Sequence, residues 1–295
     1  MDGRSICLVQ KRDVRVEEYR FIFAIHRFAL DIYKMFSAIF VWRDENMAFQ
    51  LREVVPWGRN LREYLDMFGL TENDKKLKIA GFGDGPASFN YEATRCGYNI
   101  TSFDPIYQFL REELRQRISE VREIVMKQMA ENKDNYVWEN IKNLEELEEV
   151  RMSAMNMFLA DFEKGLAEKR YVYHELPDRL SCEDDSYDLG ISSHFLLMYT
   201  ALGYDFHIKA MDEMMRVCKE IRIFPLVDLD ANPSEMISDI IEHYRKKYEV
   251  EIRETKYEFQ KGANRLLVIK RWIYKVNGGM KNEMRKFRTG KREYW

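Results

Sequence analysis

Cysteine is sparse and scattered in this sequence: Cys7, Cys96, Cys182 and Cys218 form no Cys-x-x-Cys pair and have no nearby histidine at metal-ligand spacing. That pattern excludes a disulfide framework or a zinc site as the organising device, and it fits reduced thiols packing as small apolar residues in a cytoplasmic protein. Glycine (14) and proline (6) are also scarce among the 295 residues, and 46% apolar with 33% charged content excludes wholesale disorder. Neither charge sign dominates, with 47 Lys and Arg against 50 Asp and Glu, so no bulk attraction to nucleic acid or to an anionic membrane is expected. An uninterrupted hydrophobic span is missing too. The nearest candidate, "YRFIFAIHRFALDIYKMFSAIFVW" at 19–42, carries Arg20, Arg27, Asp31 and Lys34 along one helical face, which predicts an amphipathic helix rather than a membrane span.

What is present divides the chain into a helical extension over 1–46, a large domain over 47–275 and a basic tail over 276–295, the tail reading as solvated. Within the domain, β-prone runs alternate with helical stretches. "LKIAG" (77–81), "NITSF" (99–103), "RYVYH" (170–174), "YDLGIS" (187–192), "EIRIFPL" (220–226), "YEVEIRE" (248–254) and "RLLVIKR" (265–271) are the strand candidates. They predict an α/β fold, a doubly wound and mainly parallel seven-stranded sheet with helices on both faces. Pro86 and Gly97 bracket a helix over 86–96, and Asn232, Pro233 and Glu235 predict the start of another running to about residue 247. Between the second and third strands lies a helical insertion, 105–169. Its Met126, Met129, Met152, Met155, Met157 and Phe158 fall at helical spacings and read as a packing layer, or as a methionine-rich wall around a substrate. The helical segments also offer surfaces through which copies of the chain can associate.

The stretch "IAGFGDGPASF" (79–89) places Gly81, Gly83 and Gly85 directly after the first strand, where a tight turn lets the backbone approach a polar ligand. The first strand's carboxyl end is where ligands of such sheets bind. A dinucleotide fingerprint fits neither register, because its third small residue would fall at Pro86 or Ser88, and a P-loop would need a Lys and a Ser or Thr that are absent.

The G-x-G-x-G spacing resembles motif I of the class I S-adenosylmethionine-dependent methyltransferases. Two further segments carry the resemblance: Asp104, ending the second strand 19 residues after Gly85 at the family's ribose-binding position, and "LSCEDDSYDLGISSHFLLMY" (180–199), similar to the segment leading into the family's fourth strand. The resemblance spans 77–271 and implies a Rossmann-like methyltransferase fold that ends in an antiparallel strand. It implies S-adenosylmethionine as cofactor, contacted by Gly81, Phe82, Gly83, Asp84, Gly85, Asp104 and Ser193. Glu175, with Asp178 as substitute, stands where that family often has an acid near adenine. Ile79 departs from the family, which often carries an acid there.

For chemistry, His194 and Tyr199 follow the fourth strand, with Asp205 and His207 beyond; His194 stands where a general base for the acceptor belongs, or serves as a hydrogen-bonded or cofactor-contacting residue. "SSHF" replaces the [DN]-P-P-[YF] motif of base-amine methylation, and no Pro-Cys dipeptide for cytosine methylation occurs. A small-molecule acceptor is therefore expected, protein or RNA being the alternatives, with Trp57 and Arg59 of "VVPWGRN" helping to shape its pocket. Two other functions compete: a cofactor-binding regulator without turnover, and a nicotinamide-dependent oxidoreductase, against which Pro86 argues.

Overall fold

The computed structural model describes residues 55–272 and the backbone of a short hairpin, Lys275–Val276 paired with Gly279–Met280. The chain divides into units 1–53 and 54–295, and all described residues belong to the second. The amphipathic helix expected at 19–42 and most of the basic tail lie outside the described residues.

The seven apolar runs form one sheet: β1 (Lys78–Phe82), β2 (Asn99–Asp104), β3 (Tyr171–Tyr173), β4 (Tyr187–Ser193), β5 (Cys218–Phe224), β6 (Glu249–Glu254) and β7 (Arg265–Lys270), ordered β3-β2-β1-β4-β5-β7-β6. Strands β1 to β5 pair in parallel, and β7 runs antiparallel to both β5 and β6. Central strands covered on both faces need continuous apolar runs, which "IAGF" in β1 and "LLVI" in β7 supply. Alternation still sorts the faces: Ile79 joins the core cluster on one side, Ala80 and Phe82 the cluster on the other. The direction of strand succession reverses between β1 and β4, opening a crevice at their carboxyl ends.

The helices are α1 (Leu61–Phe68), α2 (Phe89–Arg95), α3 (Arg111–Glu131), α4 (Leu144–Ala167), α5 (Tyr204–Val217) and α6 (Ile237–Arg245). α1 opens on a reciprocal cap, the Asn60 side chain accepting from the Glu63 N–H and the Glu63 carboxylate from the Asn60 N–H, and it closes at Gly69 with φ 61°. It is tethered to α2 by the Glu92 carboxylate, which accepts from the Leu61 N–H at 2.9 Å and from the Ser88 hydroxyl at 2.6 Å.

Two expected helix starts are corrected. α2 begins at Phe89, not Pro86: the turn that Gly85 makes at φ 58° continues through Pro86, whose carbonyl lies against Gly58 so closely that a Cβ there would collide with it. α6 begins at Ile237. Asn232 is no cap: its own N–H, like that of Asp230, donates to the Asp228 carboxylate in a local turn. Gly97 does close α2, at φ 89°. Asp205 and His207, expected in the loop after β4, sit within α5.

The insertion comprises α3 and α4, joined through a core of Leu114, Ile118, Met155, Phe158, Leu159 and Phe162. Met129, Met155 and Phe158 are buried, while Met126, Met152 and Met157 are half-buried. Among the described residues no methionine lines the cavity described below, so these residues form a packing layer.

Candidate functional site

The loop after β1 is shaped by what lies beneath it. Asp84 folds back over the strand, its carboxylate accepting from the Tyr64 hydroxyl at 2.9 Å and the Ser102 hydroxyl at 2.5 Å, and a Cβ on Gly81 would strike that carboxylate. Gly83 turns at φ 71° against the Phe195 ring, and Gly85 follows at φ 58°, a region costly for other residues. Asp104 at the end of β2 closes the arrangement: one oxygen accepts from the Gly85 N–H at 2.8 Å and the other from the Ile106 N–H at 2.9 Å. Nearby, the Tyr107 hydroxyl donates to the Gly85 carbonyl at 3.0 Å.

A cavity of about 260 Å³ opens above this bend. Its walls come from the carboxyl ends of four strands: Gly83, Asp84 and Gly85 after β1, Asp104 and Ile106 around the end of β2, His174, Glu175 and Leu176 after β3, and Ser193, His194 and Phe195 at the end of β4. The segment before α1 adds Trp57 and Arg59, and α1 adds Tyr64. Of the residues expected at the site, nine meet here: Gly83, Asp84, Gly85, Asp104, Glu175, Ser193, His194, Trp57 and Arg59. Gly81 and Phe82 lie beneath it, Phe82 buried and stacked on Phe103 at 5.5 Å, while Asp178 is not part of the wall. Tyr199 stands apart as well, its hydroxyl accepting from the Val55 N–H at 3.1 Å. His207 is buried with its ring toward the Leu197 N–H and the Tyr199 carbonyl, outside the cavity. Ile79 is an ordinary core residue of β1.

Burial governs the electrostatics. It pushes the Asp84 carboxyl up to about 7 despite the Ser102 and Tyr64 hydrogen bonds, and the Asp104 carboxyl up to about 6 despite its two backbone donors. His194 is held well below the usual imidazole value, first by burial and then by the Arg59 and Arg151 guanidiniums, so at neutral pH the ring is uncharged. Its Nδ1 lies 2.8 Å from the Ser193 hydroxyl, and its backbone takes φ 54° while its N–H donates to the Phe224 carbonyl at 2.7 Å.

Behind Arg59 lies a buried polar knot. Arg151 of α4 donates to Glu63 at 2.7 Å, and the Tyr257 hydroxyl donates to the same carboxylate at 2.9 Å.

The relative that identifies the chain is the uncharacterized protein MJ0045 of Methanocaldococcus jannaschii, 35% identical over 223 residues, covering 75% of this chain and 98% of that one. The chain belongs to the MJ0045 family. No family model matches. Similar solved structures include a TehB-like S-adenosylmethionine-dependent methyltransferase from Corynebacterium glutamicum, 16% identical, TM-score 0.37, covering 71% of this chain and 93% of that one. Another is a putative S-adenosylmethionine-dependent methyltransferase from Methanococcus maripaludis, 13% identical, TM-score 0.32, covering 73% and 85%. Likenesses this distant leave activity open.

For this MJ0045-family chain, the sequence reading did not reach Tyr64, His174 or the knot. Arg151 did carry a signal. It falls in the apolar stripe Leu147, Ala154, Met155, Phe158, and a charged residue at a core position of a helix needs a buried partner. Tyr64 and His174 carried none, because only the folded chain brings them to the bend.

Proposed function

We propose that the chain is an S-adenosylmethionine-dependent methyltransferase with a Rossmann-like fold, acting on a small-molecule acceptor. The observation that carries the reading is the Asp104 carboxylate, buried at the end of β2 and bonded to the Gly85 N–H of the glycine bend, with both residues on the wall of one cavity. A carboxylate with lone pairs to spare beside a tight glycine turn fits an adenosyl ribose, whose hydroxyls would donate to it. Unpaired buried donors or acceptors at His174 Nε2 and Trp57 Nε1, both on wall residues, fit a polar occupant.

The residues that would hold the donor are the Gly83–Gly85 backbone, Asp104, Glu175 and Ser193. When bound, that donor supplies an electrophilic methyl on a sulfonium. The protein's part is alignment and exclusion of water. His194, neutral and disfavoured as a cation beside Arg59 and Arg151, orients the acceptor in preference to storing its proton. Tyr199 contributes by fixing Val55, a wall residue, through its hydroxyl.

Incubating the full chain with methyl-labelled S-adenosylmethionine and a small-metabolite extract tests this. Label is expected in a low-molecular-weight product, with loss in Asp104→Ala. Label confined to protein or RNA, or none above the Asp104→Ala background, contradicts it.

A further inference from the structure

Arg59 stands on the cavity wall: its Nη1 donates to the Trp57 carbonyl at 3.3 Å, its guanidinium lies against the Tyr257 hydroxyl and near Glu63, and its Nε is buried without a partner. The carboxylate beside it is already engaged. Glu63 receives Arg151 at 2.7 Å, the Tyr257 hydroxyl at 2.9 Å and the Asn60 N–H at 3.1 Å. With His194 neutral, Arg59 on the wall and Arg151 behind it share one carboxylate, Glu63, which Arg151 pairs directly. The acids of the other end serve other partners: Asp84 accepts from Tyr64 and Ser102, Asp104 stands at the glycine bend where the proposed donor sits, and Glu175 is exposed at the mouth after β3. A buried guanidinium that shares its carboxylate with a second arginine and keeps an unpartnered Nε is stabilised when an anion joins it.

We propose that Arg59 binds the carboxylate of an anionic methyl acceptor whose apolar body packs on Trp57, Phe195 and Phe206, all on the cavity wall. This rests on the methyltransferase reading, and charge balance favours the acceptor over the donor as the source. The donor's sulfonium and ammonium outweigh its single carboxylate, so it brings a net positive charge toward an end that already has a surplus. An anionic acceptor neutralises both.

The test measures melting temperature with S-adenosylhomocysteine at saturation while acetate, benzoate and indole-3-acetate are each titrated against their amides. At least one carboxylate is expected to raise the melting point where its amide does not. Arg59→Met weakens that response by about 10- to 100-fold, the weight of one charge-assisted hydrogen bond, and leaves the response to S-adenosylhomocysteine intact. Arg59→Lys, which keeps the charge, retains part of it. Three results overturn the proposal: carboxylates and amides that behave alike, an undiminished response in Arg59→Met, or a loss in that variant of the S-adenosylhomocysteine response instead. A wild-type protein that discriminates benzoate from benzamide yet ignores S-adenosylhomocysteine keeps the anion site and sinks only the methyltransferase reading.

Discussion

Asp104 concentrates the site's chemistry in one carboxyl group. Burial raises its proton affinity to about 6, and two backbone N–H groups hold it in place without removing its capacity to accept more. Ribose hydroxyls donate best to the ionised form. Under the proposed function, donor binding is expected to strengthen as pH rises through about 6 and to be weaker below, where the carboxyl is protonated. The same shift acts on folding with the opposite sense. An acid whose folded value exceeds its unfolded one binds more protons in the native state, so between about pH 4 and 6 Asp104 makes the unliganded protein less stable as pH rises. Asp84, raised to about 7, extends that loss toward neutrality. Binding curves for S-adenosylhomocysteine at pH 5 and pH 7.5 are expected to differ in wild type and to coincide, at weaker affinity, in Asp104→Asn. Equal affinities at both pH values in wild type would show that this carboxyl does not face the ligand.

At the scale of elements, the insertion of α3 and α4 is a second core grown onto the sheet. Phe158, fully buried, meets Tyr107, Phe162 and Tyr171 at ring-centroid distances of 6.0, 5.1 and 5.3 Å. Tyr107 in turn holds the Gly85 carbonyl, so packing in the insertion reaches the glycine bend through one side chain. Arg151 makes a second link, from α4 to Glu63 in α1. Phe158→Ala is expected to cost about 3–5 kcal/mol in urea unfolding. At temperatures where the variant remains folded it is also expected to weaken S-adenosylhomocysteine binding. A variant that loses the stability but binds as well as wild type would separate the insertion from the site.

Across the whole molecule, the central strands were legible because burial on both faces demands apolar runs, the edge strand β6 by the alternation in "EVEIRE", and all seven expected runs pair in one sheet. The glycine bend and Asp104 were legible because a turn and a strand end are local. Helix starts were not: Pro86 and Asn232 carry start signals, yet Pro86 stays in the turn packed on Gly58, and Asn232 is taken up by the local Asp228 turn, so α2 and α6 begin later. For the same reason the long-range knot of Glu63, Arg151 and Tyr257 was hidden, although Arg151 betrayed itself as a charge in an apolar stripe. The reversal of strand succession between β1 and β4 then places bend, carboxylate and His194 around one crevice.

That convergence is what an adenosyl donor would use, and titration calorimetry of the full chain measures it directly. The account predicts saturable one-to-one heat with S-adenosylhomocysteine, sharply reduced in Asp104→Ala, and none with NADH. Heat with NADH alone, or S-adenosylhomocysteine binding that Asp104→Ala leaves untouched, would contradict it.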